Sequence, residues 1–203
     1  MKLYFSPGAC SLSPHIVARE LGIELTLEKV DTQTKKLSGD RDFLKINPKG
    51  YVPTLELDDG SVLTEGPAIV QYLADKKPEA KLVPPNGTLE RYRVQEMLGY
   101  INSEIHKTYS PLFNPKVSPE LREERQEYLR KRYAFIEQSL AGKDYLFGQD
   151  FTVADAYLFT VTNWSTFLKI DRSEFPNLLA FQKRVAARPA VKAAMAAEHL
   201  KPA

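Results

Sequence analysis

The chain has 203 residues, of which 43% are hydrophobic, so it can bury one large core or two smaller ones. Its 28 basic and 26 acidic residues leave a formal charge of +2, which favours neither nucleic acid nor an anionic membrane as a partner. One cysteine excludes an internal disulfide, and three histidines far apart in sequence have no metal-ligand spacing. We therefore expect no structural metal. The lack of a signal-peptide pattern and of a long apolar run favours a cytoplasmic protein.

The first thirty or so residues predict a βαβ unit. Lys2–Phe5 is an apolar run typical of a strand, and Ser13 with Pro14 opens a helix that ends at Gly22. Residues 23–28 alternate apolar and polar side chains, which predicts a second strand. Because a helix connects the two strands, they should be parallel with a right-handed crossover.

A hairpin and a further helix follow. Residues 42–46 form a short helical patch, and residues 52–57 and 61–64 flank an Asp-Asp-Gly turn that predicts two antiparallel strands. Pro67 marks the first turn of the next helix. The resulting order βαβαββα resembles the thioredoxin-like fold, in which an active thiol lies at the first strand-to-helix turn. Cys10 occupies that place.

The rest of the chain is predicted to be helical. Residues 78–87 are rich in proline and read as a linker, and helices are expected over residues 89–109, 118–140, 178–187 and 190–198. Thr152 and Asp155 have the spacing of a capping box, and they open a helix that is apolar on most sides and should be central. We therefore predict a thioredoxin-like α/β domain over 1–77, a linker over 78–87 and an all-helical bundle over 88–203.

The lone cysteine lies in a segment that suggests redox chemistry. Cys10, Ser11, Leu12 and Ser13 have the layout of a C-x-x-C motif with serine in place of the second cysteine. A lone cytosolic cysteine is most often a small buried hydrophobic residue. Its position at a helix start argues against that interpretation here. Such a thiol can form a mixed disulfide but cannot close an internal one.

Five segments, taken in order, resemble the cytosolic glutathione transferases and, within them, the bacterial beta class. They are KLYFSPGACSLSPHI, NPKGYVPTLELDDG, LTEGPAIVQYLA, TVADAYLF and FPNLLAFQKRVAARPAV. The resemblance extends over essentially the whole chain. It implies a homodimer that binds glutathione as co-substrate in the N-terminal domain, takes an apolar electrophile beside it and holds no tightly bound cofactor.

The resemblance also implies roles for single residues. Cys10 would lie against the glutathione sulfur, with the Ser11 hydroxyl as a neighbouring donor. His106 would face the same thiol and either donate a hydrogen bond to the thiolate or accept its proton. Val52, before an expected cis-Pro53, would pair with the ligand backbone. These expectations make Cys10, Ser11 and His106 the candidate catalytic residues.

The remaining contacts follow from the same resemblance. Glu65 would hold the γ-glutamyl ammonium beside the helix start at Gly66, where many family members carry serine. Lys35 is either the counter-ion of the glycyl carboxylate or a solvated lysine. Further expected glutathione contacts are Ala9, Ser103, Glu104 and Lys107. The expected electrophile pocket is lined by Tyr109, Phe113 and Trp164, whereas Phe167 is expected in the core. His15 is expected to be buried or to make a structural hydrogen bond.

These expectations favour a transferase that conjugates reduced glutathione to small apolar electrophiles, in detoxification or xenobiotic catabolism, with glutathione-dependent dehalogenation as one form of the reaction. Two alternatives stay open. One is a monothiol glutathione-dependent disulfide reductase that acts through a Cys10 mixed disulfide. The other is a non-catalytic binding protein with the same fold.

Overall fold

The computed structural model describes residues 1–200, and the chain divides into two compact units. Among these residues, the first unit contains Met1–Val83 together with 188–200, and the second contains Pro84–Ala187. The last helix, which the sequence analysis assigned to the all-helical domain, therefore groups with the first unit. It does so because it packs against the first helix and forms polar contacts at both of its ends. Among residues 1–200, no helix is both long and apolar enough to cross a bilayer.

The first unit is built on a four-stranded mixed sheet in the order β2-β1-β3-β4. Strand β1 is parallel to β2 and antiparallel to β3, which is antiparallel to β4. Leu3 of β1 pairs in register with Leu27 on one side and with Leu55 on the other, and Leu3 and Leu55 are fully buried. The predicted βαβ unit and hairpin are confirmed. The elements are β1 (Lys2–Phe5), α1 (Leu12–Glu20), β2 (Thr26–Lys29), β3 (Thr54–Glu56), β4 (Val62–Thr64), α2 (Gly66–Asp75) and α8 (Pro189–Ala197).

Strand β2 begins three residues later than predicted, because the end of α1 uses the intervening residues. Gly22 has φ +62°, a left-handed conformation that suits glycine. The Ile23 N–H then donates to the Ala18 carbonyl at 2.8 Å, in the pattern of a Schellman motif. Ile23 therefore closes the helix and does not start the strand.

The second unit is helical, but its first long helix is not continuous. Residues Ile101–His106 form a π-helical turn, in which the Lys107 N–H donates to the carbonyl of Asn102, five residues back. The predicted single helix over 89–109 is therefore interrupted at the residues that were expected to carry function. The elements are α3 (Leu89–Tyr100), the π-turn, α4 (Lys107–Tyr109), a 3₁₀ turn (Ser110–Phe113), α5 (Pro119–Ser139), α6 (Val153–Leu168) and α7 (Pro176–Ala186).

Helix α6 forms the centre of this unit, as predicted. Its residues up to Thr162 are all buried, and the capping box is present. The Asp155 carboxylate accepts hydrogen bonds from the Thr152 N–H at 2.8 Å, the Thr152 hydroxyl at 2.7 Å and the Leu146 N–H at 2.9 Å. Burial raises the pKa of Asp155 to about 6 despite these three donors, since desolvation penalises the charged form.

Candidate functional site

Cys10 lies in the turn that joins β1 to α1. The Ala9 N–H donates to the Ser6 carbonyl at 3.0 Å, and the N–H and hydroxyl of Ser13 both donate to the Cys10 carbonyl, at 3.2 and 2.9 Å. The Cys10 side chain is partly exposed, and its Sγ donates to the carbonyl of Val52 at 3.2 Å. This contact uses the thiol proton, so it belongs to the protonated form of Cys10.

Ser11 does not have the exposure that its expected role requires. It is fully buried, and its hydroxyl oxygen accepts from the Ser6 N–H and donates to the Ser6 carbonyl, both at 3.2 Å. A hydroxyl has one proton. Because that proton is used inside the turn, Ser11 stabilises the Cys10 loop, and the expected hydrogen bond to a ligand anion is not available in this geometry.

The C-terminal end of α8 anchors the same loop. Glu198 is buried, and its carboxylate accepts from the Gly8 N–H at 3.0 Å and contacts Nδ1 of His15 at 2.9 Å. The Nε of Arg19 donates to the other His15 nitrogen at 3.4 Å. His15 is therefore the buried structural histidine that was expected. Glu198 was not foreseen, because nothing local in the sequence connects it with a residue 190 positions away.

The segment before β3 is held by a buried asparagine. The Asn47 side-chain amide donates to the Tyr51 carbonyl and to the Thr54 hydroxyl, each at 2.9 Å. Between these two points lies the Val52–Pro53 peptide bond, which is cis as expected. Asn47 thus fixes the backbone on either side of Val52, whose carbonyl receives the Cys10 thiol.

Glu65 has an unusual backbone conformation at the start of α2. Its φ is +70° and its ψ is 114°, yet it is not glycine, and such strained residues cost about 1–3 kcal/mol and cluster at functional sites. Its carboxylate is 61% exposed and forms an ion pair with the Nζ of Lys49 at 2.9 Å. Lys49 also donates to the Thr64 hydroxyl at 2.9 Å. The carboxylate therefore already binds an ammonium group.

The backbone beside Glu65 can bind an anion. The Gly66 N–H has no acceptor among residues 1–200, and Pro67 has no N–H, while the next two N–H groups both donate to the Glu65 carbonyl at 3.0 Å. An exposed carboxylate and, on the buried Gly66 beside it, a helix N-terminal N–H without a protein acceptor in the described part of the chain together suit an amino acid group, which carries one ammonium and one carboxylate.

Lys35 is not simply solvated. Its Nζ donates to the Gly50 carbonyl at 2.9 Å and lies 5.7 Å from the centre of the Tyr51 ring, and the residue is half-buried. Its own φ is +59°, which is uncommon for a residue other than glycine. The lysine therefore belongs to the loop next to Val52 and carries a charge there.

In the second unit, His106 ends the π-turn and is held on two sides. Its Nδ1 lies 2.6 Å from the Tyr157 hydroxyl, which in turn donates to Oδ1 of Asn102 at 2.9 Å. The indole of Trp164 packs edge-on, with ring centroids 4.9 Å apart. Sequence reasoning identified His106 but missed Tyr157 and Asn102. Asn102 stands four residues before His106, which was the one available signal.

The neighbours of His106 on the turn differ in what they can contact. The Glu104 carboxylate accepts from the Tyr128 hydroxyl at 2.5 Å and forms an ion pair with Arg132 at 3.0 Å, so it is directed to α5. Ser103 and Lys107 are exposed. The expectation that Glu104 is a ligand contact is therefore weakened for Oε2, which already serves α5, while Oε1 lies 3.5 Å from the Ser103 hydroxyl.

Tyr109 is a core residue in this structure. It is fully buried, and its hydroxyl bonds to the Tyr133 hydroxyl and the Ser165 hydroxyl. Burial raises the pKa of Tyr109 and raises that of Tyr133 well above its ordinary range. The hydroxyl of Tyr109 therefore points into a buried polar cluster and away from any open surface.

The exposed aromatic surface is formed by other residues. Phe113 is 43% exposed and packs against Trp164 with ring centroids 5.3 Å apart. Phe167 is 78% exposed and lies 6.4 Å from Phe113. The prediction of a core position for Phe167 was wrong, because this residue is in the last turn of α6, beyond the buried stretch.

Comparison with known proteins agrees with this architecture. Residues 8–76 match the family model for the glutathione S-transferase N-terminal domain, and residues 100–189 match that for the C-terminal domain. The glutathione S-transferase GstA of Escherichia coli O157:H7 is 44% identical over 201 residues, which are 99% of this chain and 100% of that protein.

Two solved structures are similar over the same extent. The bacterial beta class glutathione S-transferase of Sphingomonas chungbukensis has a TM-score of 0.95 and 46% identity, with 99% of this chain and 100% of that chain covered. A sphingomonad glutathione S-transferase complexed with glutathione has a TM-score of 0.94 and 44% identity, with the same coverage. The chain therefore belongs to the glutathione S-transferase family, with a bacterial beta-class member among its similar structures.

Proposed function

We propose that this protein is a cytoplasmic, homodimeric glutathione transferase that conjugates reduced glutathione to small apolar electrophiles in detoxification or xenobiotic catabolism. Dehalogenation is the same reaction when the group displaced is a halide. The observation that carries the proposal is the strained, exposed Glu65 carboxylate beside the Gly66 N–H, in a chain that belongs to this family over its full length. A similar protein has been solved as a complex with glutathione.

Glutathione offers groups that these residues suit. The Glu65 carboxylate would bind the γ-glutamyl ammonium, and the Gly66 N–H would bind the adjacent carboxylate. The backbone of Val52 would pair with the cysteinyl residue, next to Pro53 and Ala9. Lys35 would supply a cation for the glycyl carboxylate. Ser103 and Lys107 are the further candidates, whereas Glu104 is assigned to α5.

The reaction needs a thiolate and an acceptor for its proton. The glutathione thiol would give its proton to His106, and the sulfur would then attack the electrophile, whose leaving group departs with the bonding electron pair. Ionising the thiol is the first contribution to the rate, and holding both reactants together is the second. Cys10 would form one wall of the thiol site, since its own proton is donated to the Val52 carbonyl.

A monothiol disulfide reductase is the second candidate, because the Cys10 side chain is partly exposed at the start of α1. Its thiolate would attack a glutathione mixed disulfide, releasing the substrate thiol and leaving Cys10 joined to glutathione. A second glutathione would then restore the thiol and leave as oxidised glutathione.

Calorimetry with reduced glutathione tests binding first. Replacing Glu65 with Gln removes a charge-assisted contact that is typically worth about 1.5–3 kcal/mol, so affinity should fall about 10- to 100-fold. Glu79→Gln, at an exposed glutamate of the same unit, is the matched control and should bind like the parent. Absence of binding at millimolar glutathione would rule out both enzymatic functions.

Turnover assays then separate the candidates. Conjugation to a chloronitroaromatic should survive Cys10→Ser, while reduction of a glutathione mixed disulfide should be lost in the same variant. Loss of both activities would make Cys10 essential for transfer. Binding without either turnover would favour the non-catalytic alternative. Gel filtration at twice the chain mass is expected for the homodimer, and elution at the mass of one chain would contradict it.

A further inference from the structure

His106, Tyr157 and Asn102 form a hydrogen-bond chain that can run in only one direction as the three side chains are placed. The Tyr157 hydroxyl has a single proton, and it donates that proton to Oδ1 of Asn102 at 2.9 Å. The same hydroxyl oxygen lies 2.6 Å from Nδ1 of His106. Since the proton of Tyr157 is already used, Nδ1 of His106 must be the donor in this second hydrogen bond.

A neutral imidazole has one N–H, so a proton on Nδ1 leaves the lone pair on Nε2. We propose that Tyr157 and Asn102 are positioning residues that hold His106 in its Nδ1-protonated tautomer, so that Nε2 is the nitrogen that accepts the proton of the bound thiol. The catalytic part of this inference rests on the proposed function. The tautomer itself does not.

The π-turn sets the geometry of this hydrogen-bond chain. Asn102 and His106 lie at the two ends of one turn and both reach the same hydroxyl on α6. Trp164, about two turns further along the same face of α6, packs its ring edge-on against the imidazole at 69°. The orientation of His106 is therefore fixed by two contacts with a buried, central helix, which suits a group that must transfer a proton at one nitrogen.

The last group of this hydrogen-bond chain is the neutral amide of Asn102. It therefore orients His106 without placing a negative charge beside the imidazole. The groups on α6 that face His106 are the Tyr157 hydroxyl and the Trp164 ring. On the turn itself, Glu104 is engaged with Arg132 and Tyr128 of α5, and Lys107 is exposed. The substitution Asn102→Asp would therefore add a negative charge that this hydrogen-bond chain lacks.

Nuclear magnetic resonance on the ligand-free protein with ¹⁵N-labelled histidine tests the tautomer directly. Above the titration of His106, its Nδ1 should show the shift of a protonated ring nitrogen and its Nε2 that of an unprotonated one. Tyr157→Phe should give a mixture of the two tautomers, while Tyr92→Phe, which removes an exposed hydroxyl, should not. The opposite tautomer in the parent protein would overturn the inference.

Kinetics test whether the tautomer serves catalysis. Tyr157→Phe should lower kcat about 10- to 100-fold, as loss of an orienting partner does elsewhere, with KM for glutathione changed less than about twofold. Asn102→Asp should raise the titration midpoint of His106 by about one pH unit and move the acidic limb of the pH–rate profile with it. If Tyr157→Phe lost kcat and glutathione affinity in parallel, and Asn102→Asp left the pH–rate profile unmoved, the role of both residues would be merely structural. That outcome would overturn the inference.

His106→Ala separates this inference from the function beneath it. If this variant keeps full transfer activity, His106 is not the proton acceptor, and the proposed mechanism fails whatever the tautomer. If His106→Ala loses activity while Tyr157→Phe keeps it, the mechanism stands and the positioning role of Tyr157 and Asn102 is refuted.

Discussion

Replacing Glu198 with alanine should strongly destabilise the first unit. The change removes the acceptor of the Gly8 N–H at 3.0 Å and of His15 Nδ1 at 2.9 Å. A buried donor left without an acceptor costs about 1–3 kcal/mol, so two such donors should cost about 3 kcal/mol or more. In a chain of this length each kcal/mol lowers Tm by about 2–4 °C, which gives an expected decrease of about 6–12 °C.

Glu20→Ala is the matched control for this prediction, because it breaks the other polar contact between α1 and α8. Glu20 accepts two hydrogen bonds from Arg188, at 2.6 and 2.9 Å, in a partly exposed position where the guanidinium can turn to water once they are lost, so this change should cost about 1–2 kcal/mol. Thermal unfolding gives the first comparison. The rate at which a small disulfide reagent modifies Cys10 gives the second, and only Glu198→Ala should increase it, since only that change releases Gly8. Equal Tm losses and equal Cys10 rates in the two variants would refute the anchoring role.

Two further predictions concern charge. The folded-state pKa of Asp155 is raised to about 6 from 3.8, so the folded state binds the proton more tightly, and the stability from this group is present below pH 4 and lost as the pH rises to 6. The free energy of unfolding relative to Asp155→Asn should therefore fall by about 2 kcal/mol between pH 4 and pH 6, out of about 3 kcal/mol in all, in urea titrations, and parallel curves would contradict it. Lys49→Met should tighten glutathione binding up to about fivefold in calorimetry, because the ligand ammonium no longer has to displace an exposed ion pair worth up to about 1 kcal/mol. Lys45→Met, at an exposed lysine that ends the 3₁₀ turn Phe43–Lys45, controls for lost positive charge, and weaker binding in Lys49→Met would mean that Lys49 supports Glu65 instead.

Local patterns were sufficient to predict most elements of the fold. The βαβ unit, the hairpin around Gly60 and the capping box of Thr152 and Asp155 each follow from residues close together in sequence. The π-turn could not be foreseen, because its residues have ordinary helical spacing and the change to i→i+5 bonding depends on packing in the folded chain. The late start of β2 was also missed, since alternation in residues 23–28 concealed the Schellman end of α1.

The candidate site, like the fold, could be predicted only in part from local sequence. Cys10 and Glu65 were identified because motifs mark their positions, and His106 because the family resemblance implies a histidine at this point of the helix, but their partners were not. Lys49 and Tyr157 lie 16 and 51 residues from the groups they contact, and no local pattern reports such pairs. A serine after a cysteine is equally able to face a ligand or its own turn, and only the backbone of that turn decides between them.

The Val52 carbonyl links the two thiols of the proposed reaction. A carbonyl oxygen has two lone pairs, and in this structure one of them accepts the Cys10 proton at 3.2 Å. The proposed pairing with the glutathione backbone needs only the other, so Cys10 can remain protonated while glutathione binds. Ionising Cys10 would forfeit this hydrogen bond and place a second negative charge near the thiolate to be stabilised, and like charges in one site oppose each other. In the proposed mechanism, a protonated Cys10 would favour transfer and an ionised one would favour mixed-disulfide chemistry, so the two proposed activities should compete for the same residue.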